Sequence, residues 1–268
     1  MKLGCNSVVF ASADRRTALA HIAAAGYRFV ELAAIKGMCE HLDPEGDASD
    51  LARLREELEE FGLVPTAIEA ATTDRARLLK VFEAAKALGV GIVNIGSGGT
   101  SNDEESIKQA IAHIAELARD AGRHEVRLAV KPHVGQAIFD AATALRLTAE
   151  VDEPALGLNF DPSHLYRADQ DPASVARSWG ERIVTVHIRD CASRDRRVGP
   201  PETQIAGRGV VDLLAVLGAL GENGHDGPLN LEVIGTKTYQ LSRAMGIAAE
   251  SRGYLSRCLR ELGLTSGE

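Results

Sequence analysis

The chain has 268 residues, of which 45% are hydrophobic and 25% charged, and its 30 Lys and Arg against 38 Asp and Glu give a formal net charge of −8. This is the profile of a globular protein large enough to bury a core without disulfide staples, and the length suits one α/β barrel as well as two small domains. The acidic balance argues against a nucleic-acid partner, and no run approaches the roughly twenty apolar residues of a membrane span.

The four cysteines (Cys5, Cys39, Cys191, Cys258) show neither CxxC nor Cys/His zinc spacing, which points to buried thiols in a reducing compartment. The first ten residues, MKLGCNSVVF, are too short in their apolar part for a signal peptide and lead straight into a strand pattern. The expectation is a cytoplasmic protein with no membrane partner.

In chain order, short and mostly apolar runs predict strands at 3–5, 29–32, 64–68, 92–95, 127–130, 156–160, 183–188 and 229–233. Runs that are apolar rather than alternating suit parallel strands covered on both faces. Amphipathic stretches of helical length separate them. Ser49 or Asp50 is expected to cap a helix through Phe61, Thr73 or Asp74 one through Leu88, and a residue within 101–103 one ending near Gly122. Gly62, Gly89 and Gly122 fall where those helices should stop.

A β–α unit repeating to the end of the chain predicts a single (β/α)8 TIM barrel with parallel strands, one domain over 1–268. A doubly wound open sheet is the alternative, disfavoured by the near-constant unit length. Two irregular segments follow strands: 36–46 after the second and 192–208 after the seventh. The latter is too polar and too rich in Pro and Gly for a helix, and reads equally as a lid or as a solvated loop.

In parallel barrels catalytic groups sit at the C-terminal ends of the strands. The last four strand ends carry LAVKPH (Lys131, His133), LGLNFDPSH (Asp161, His164), TVHIRD (His187, Asp190) and LNLEVIG (Glu232). Glu232 interrupts an apolar strand, where an unpaired carboxylate would cost several kcal/mol. Asp161 reads alternatively as a turn or cap aspartate, and His187 as a hydrogen-bonded core histidine. Together Asp161, His187 and Glu232 are a sensible ligand set for Mn²⁺, Mg²⁺ or Zn²⁺. Asp190 would orient them from behind. His133 and His164 are further candidates at the same rim.

Gly96, Gly98 and Gly99 read either as an anion cradle or, preferably, as a plain β–α turn. Arg189, Arg194 and Arg208 are candidate oxyanion partners, although loop arginines are mostly solvated.

The segments VEL, DPSH, VHIRD, GRGVVDL and LEVIG, spread over nearly the whole chain, make it similar to the sugar phosphate isomerase/epimerase superfamily. These are the xylose isomerase-like barrels that also include AP endonucleases. The resemblance implies a divalent metal held by a glutamate on strand five, an aspartate on six, a histidine on seven and a glutamate on eight. It further implies that the two glutamates exchange a proton with a ketose through an enediolate. Carried onto this chain, it gives Asp161, His187 and Glu232, with His164 near the substrate, and implies a homo-oligomer.

The chain departs at one position: Lys131 stands where the family has its fifth-strand glutamate. Three readings follow: the metal stays and Lys131 is a base, Lys131 replaces the metal, or Lys131 forms a Schiff base. The first is ranked slightly ahead because three ligands remain.

The expected function is isomerisation or epimerisation of a small carbohydrate, a ketose or keto-polyol, by proton transfer alpha to a carbonyl. Glu232 and Lys131 would be the catalytic pair, and Asp190 and Arg208 would join His133 and His164 around the substrate. Dehydration of a keto-sugar or keto-inositol shares the same first step. A non-catalytic sugar-binding barrel is a third reading. An AP endonuclease is disfavoured, because TAIEAATTD and NIGSGG offer no histidine for a multi-zinc centre.

Overall fold

The computed structural model describes residues 1–267. Its strands are β1 (Lys2–Asn6), β2 (Phe29–Ile35), β3 (Cys39–Glu40), β4 (Val64–Glu69), β5 (Ile92–Gly96), β6 (Arg127–Lys131), β7 (Leu156–Phe160), β8 (Ile183–Ile188) and β9 (Pro228–Leu231). All but β3 run parallel, each beside the next, and β1 pairs with both β2 and β9, which closes an eight-stranded (β/α)8 barrel. The two-residue β3 lies antiparallel on β2 within the segment after the second barrel strand.

The helices are α1 (Arg15–Ala24), α2 (Ala48–Glu60), α3 (Arg75–Leu88), α4 (Glu104–Arg123), α5 (Ala141–Glu150), α6 (Pro162–Arg167), α7 (Pro172–Trp179), α8 (Pro201–Gln204), α9 (Leu213–Glu222) and α10 (Leu241–Glu261). Most open on an aspartate whose carboxylate accepts backbone N–H groups of the first turn, as Asp14, Asp74, Asp140, Asp161 and Asp212 do. A negative cap satisfies orphan donors and complements the helix dipole together.

Two expected boundaries shift. Asp47 caps α2, while Ser49 donates its hydroxyl to that cap and Asp50 sits in the first turn. Gly122 lies inside the last turn of α4, and the left-handed position beyond it is held by Glu125 (φ 62°). Gly89 does end α3 in the left-handed conformation, at φ 70°.

The apolar core fills the space between barrel and helices, with Trp179 of α7 edge-on to Phe160 of β7 at 5.7 Å. Inside the barrel the character changes. Asn159, Thr185 and Asn230 are fully buried there. Gly4 is required beside them, since a Cβ would stand 2.3 Å from Asn230 Oδ1. The β2–β4 register slips between Val30 and Glu31, where Pro65 has no N–H to pair. Past that irregularity, Glu31, Glu69 at the end of β4, Lys131 at the end of β6 and His187 near the end of β8 carry the polar layer at the barrel's top.

The segment 192–208 is neither free nor wholly irregular. It contains the single turn α8, and its Gln204 carboxamide exchanges hydrogen bonds with the backbone of Ile234, just past the neighbouring strand β9 (3.1 and 3.0 Å). Among the described residues no helix is long and apolar enough to cross a membrane.

Candidate active site

Lys131, Asp161, His187 and Glu232 converge at the C-terminal mouth of the barrel, from four successive barrel strands or their ends. All four are at most 5% exposed. The Lys131 ammonium donates to Glu232 Oε1 at 2.9 Å and to His187 Nδ1 at 3.0 Å, and lies 3.7 Å from Glu69 Oε1. His187 reaches across the barrel, its Nε2 2.8 Å from Glu31 Oε2. Two N–H groups cannot share the Lys131–His187 contact, so that contact holds one proton. A charged lysine donating to a neutral imidazole that carries its own proton on Nε2, toward Glu31, satisfies every partner. The carboxylates of Glu31, Glu69 and Glu232 favour positive charge on this pair against the cost of burial.

Arg189 completes the cluster. Its Nε donates to Ser163 Oγ (3.0 Å) and its Nη2 to Asp161 Oδ2 (2.9 Å), while Nη1 lies 3.1 Å from Glu232 Oε2. Asp161 is also the cap of α6, its Oδ1 accepting from the backbone N–H groups of Ser163 and His164. The cap reading and the site reading of Asp161 therefore both hold, one for each oxygen. Burial alone would raise the Asp161 and Glu232 carboxyls. Arg189, with Lys131 beside it, outweighs burial and holds both below the ordinary carboxylate range, Glu232 well below it.

The remaining sequence candidates divide. His133 borders the cavity, with its ring 4.0 Å from that of His164, and burial followed by Lys131 pushes its pKa down to about 4. His164 is buried behind Arg189, its Nε2 2.9 Å from the guanidinium and its Nδ1 accepting the Val134 N–H. It supports the rim rather than facing a ligand.

Asp190 does not point at the site. Its carboxylate accepts from the backbone N–H groups of Cys191, Val211 and Gly207 and so pins the segment after β8 to the rim. Arg208 faces outward in an exposed ion pair with Glu250, and Arg194 pairs with Asp169 at the surface. The glycine turn after β5 is no anion cradle: Gly98 N–H donates to Gln136 and Thr100 N–H to Ser106.

Three side chains of the site were not singled out from the sequence. Glu31 is fully buried and accepts from Asn6 Nδ2 (3.0 Å) and from the Asn94 amide. Asn94 is likewise fully buried. Glu69 is 2% exposed, and its Oε2 has no hydrogen-bond partner, although His187 Nε2 is 3.3 Å away. Burial, opposed by Lys131 and His187, raises the Glu69 pKa to about 7. Both glutamates carry the signal that exposed Glu232, a carboxylate inside an apolar strand: FVELAAI and VPTAIE.

A cavity of about 130 Å³ opens onto this cluster, lined by Glu69, Lys131, His133, Gln136, Arg189 and Glu232, with Ile35, Met38 and Ile234 at its apolar side. Larger depressions beside α10 and α4 contain no buried carboxylate or imidazole.

Asp161, His187 and Glu232 bring one donor atom each within 4.8 Å of one another, as do Glu31, Glu69 and His187. In the first group every donor already faces a fixed cation, Lys131 on the His187–Glu232 side and Arg189 on the Asp161–Glu232 side. In the second, His187 Nε2 lies 2.8 Å from Glu31 Oε2 and Glu69 Oε2 has no hydrogen-bond partner. The residues of the first group, with these cations in place, therefore do not fit a divalent ion.

Fold and site together define a TIM barrel with a buried cluster of charged side chains at the C-terminal end of its strands. The family model described as xylose isomerase-like TIM barrel matches residues 19–258, and the chain belongs to that family. Among curated proteins, it is 28% identical over 142 residues to a ketose 3-epimerase of Arthrobacter globiformis, covering 52% of this chain and 46% of the relative. It is 23% identical over 145 residues to an inosose dehydratase of Lacticaseibacillus casei, covering 50% and 48%. The chain thus matches about half the length of these relatives, both of them enzymes.

Of solved structures, a D-tagatose 3-epimerase-like protein superposes with a TM-score of 0.80 at 18% identity, over 98% of each chain. An IOLI protein with a bound zinc atom superposes at 0.77 with 22% identity, over 96% of this chain and 99% of that one. At these identities the likeness establishes the fold.

Proposed function

We propose that the barrel catalyses proton transfer alpha to the carbonyl of a small polyhydroxylated substrate, as a carbohydrate isomerase or epimerase. One observation carries this reading. Glu69 Oε2 is buried without a hydrogen-bond partner, and Glu69 borders the same cavity as Lys131 and the Arg189–Glu232 ion pair. Leaving a buried polar atom unpaired costs about 1–3 kcal/mol, so the site is built to be completed by a ligand rich in hydroxyl and carbonyl oxygens.

The roles follow from the electrostatics. Glu232 was the expected base, but both its oxygens lie against cations, which leaves it weakly basic. Its work is to hold Lys131 and Arg189. Glu69, poised near neutrality, takes the α-proton. The C–H electron pair moves into the carbon–carbon bond of an enediolate, and the carbonyl oxygen takes the negative charge beside the Lys131 ammonium and Arg189 guanidinium. Return of the proton to the former carbonyl carbon, with the adjacent hydroxyl's proton passing to the former carbonyl oxygen, gives the isomer. Delivery of a proton from the Lys131 ammonium to the opposite face of the original carbon, with Glu69 then re-protonating the lysine, gives the epimer.

The names of the curated relatives support a second outcome from the same enediolate, loss of a β-hydroxide protonated by Glu69, which is dehydration. Incubation with a panel of ketoses and keto-inositols in D₂O tests the reading. Deuterium should enter the α-carbon of the accepted substrate, and a growing enone absorbance would mark dehydration. Retained exchange in both Lys131→Met and Glu69→Gln would overturn the assignment.

A further inference from the structure

The structure assigns to Lys131 and Arg189 the place that a divalent ion takes in the resembling family, making this a branch whose oxyanion site is built from side chains and needs no metal. The inference rests on the cavity being the active site, as proposed above, and deepens that reading by naming what neutralises the oxygen.

The geometry is specific. The Lys131 nitrogen contacts His187 Nδ1 and Glu232 Oε1 together, at 3.0 and 2.9 Å, and these are two of the three donors the family resemblance gives to the ion. The third, Asp161, is bonded to Arg189 at 2.9 Å, and the same guanidinium reaches Glu232 Oε2 at 3.1 Å. An ion at 2.0–2.2 Å from these donors would meet the ammonium well inside van der Waals contact. Moving the lysine aside would leave its charge buried beside the ion's own.

Glu232 is already bonded to Lys131 and Asp161 to Arg189. Arg189 is itself fixed by Ser163, so it is not free to swing clear. Both cations border the cavity, so a developing enediolate oxygen there meets an ammonium and a guanidinium, each able to donate hydrogen bonds.

The test uses Mn²⁺ alone with the intact, substrate-free protein, read by the electron paramagnetic resonance of the free ion. The wild-type chain should leave the signal of stoichiometric Mn²⁺ undiminished, and Lys131→Glu should tighten Mn²⁺ binding by about 100-fold or more. Should that variant fail to fold by circular dichroism, Lys131→Gln, which removes the charge and keeps the size, should show a smaller gain in the same direction. Uptake of one Mn²⁺ per wild-type chain, abolished by Glu232→Gln, would overturn the inference. So would a folded Lys131→Glu or Lys131→Gln chain that binds no better than wild type. Binding is read without turnover, so a barrel inactive on every sugar still answers the question, and an active one that takes up Mn²⁺ refutes only this step.

Discussion

Replacing Lys131 with Met is expected to destabilise the fold by about 3–5 kcal/mol at neutral pH, the usual cost of removing one partner from a buried charge cluster. The ammonium is 5% exposed and holds Glu232 and His187 directly. Without it, Glu232 keeps Arg189, and Glu69 loses its neighbouring ammonium. The pH dependence gives the sign.

In the wild type, a Glu232 carboxyl held well below its ordinary value contributes stability that is present above the unfolded pKa, near 4.5, and is lost as pH falls through the depressed folded pKa. The variant has forfeited much of that contribution, so its deficit should be largest near neutrality and should shrink on acidification. Urea unfolding at neutral pH and at about pH 3, inside the window below the unfolded value, measures this. A deficit under about 1 kcal/mol, or one that does not change with pH, would show that Lys131 is not holding the cluster together.

Glu69→Gln should separate activity from stability. Loss of a positioned general base costs about 10²–10⁴-fold in rate, and the wild-type rate should rise as pH passes through about 7, a limb the variant lacks. Stability should move the other way. A carboxyl whose folded pKa is raised contributes stability below its unfolded value, and that contribution is lost as pH rises from about 4.5 through about 7. Glutamine is neutral throughout, so the variant should resist urea at pH 8 at least as well as wild type. An inactive, destabilised variant would mark Glu69 as a structural group, and an active one would remove it from the mechanism.

The barrel was legible because its strands are apolar runs of strand length separated by stretches of helical period, and each of the eight predicted strands falls on an observed one. The convergence of Lys131, Asp161, His187 and Glu232 was legible for a related reason, since parallel strands deliver their C-terminal ends to one rim. Glu31 and Glu69 carried the same mark as Glu232. Their partners Asn6, Asn94, Lys131 and His187 come from other strands, so no local pattern separates a site carboxylate from a structural one.

From sequence, Arg189 reads as a candidate oxyanion partner no better marked than the solvated Arg194 and Arg208. Only the turn of the chain past β8 tucks it under Asp161 and Glu232. Asp190, its neighbour, looked like a partner of the ligands and instead satisfies backbone amides, a role that depends on where segment 192–208 returns and that no local pattern encodes. Arg208 needed α10 as its neighbour before its pairing with Glu250 could be read.

The central claim is that fixed side-chain cations, and no divalent ion, occupy the heart of this site. A crystal soaked in Mn²⁺ and examined by anomalous scattering addresses it directly. The expected map has no anomalous peak between His187 and Glu232, and the Lys131 amine remains in contact with both. A strong peak bonded to His187 Nδ1, Glu232 and Asp161, with the lysine displaced, would contradict the account.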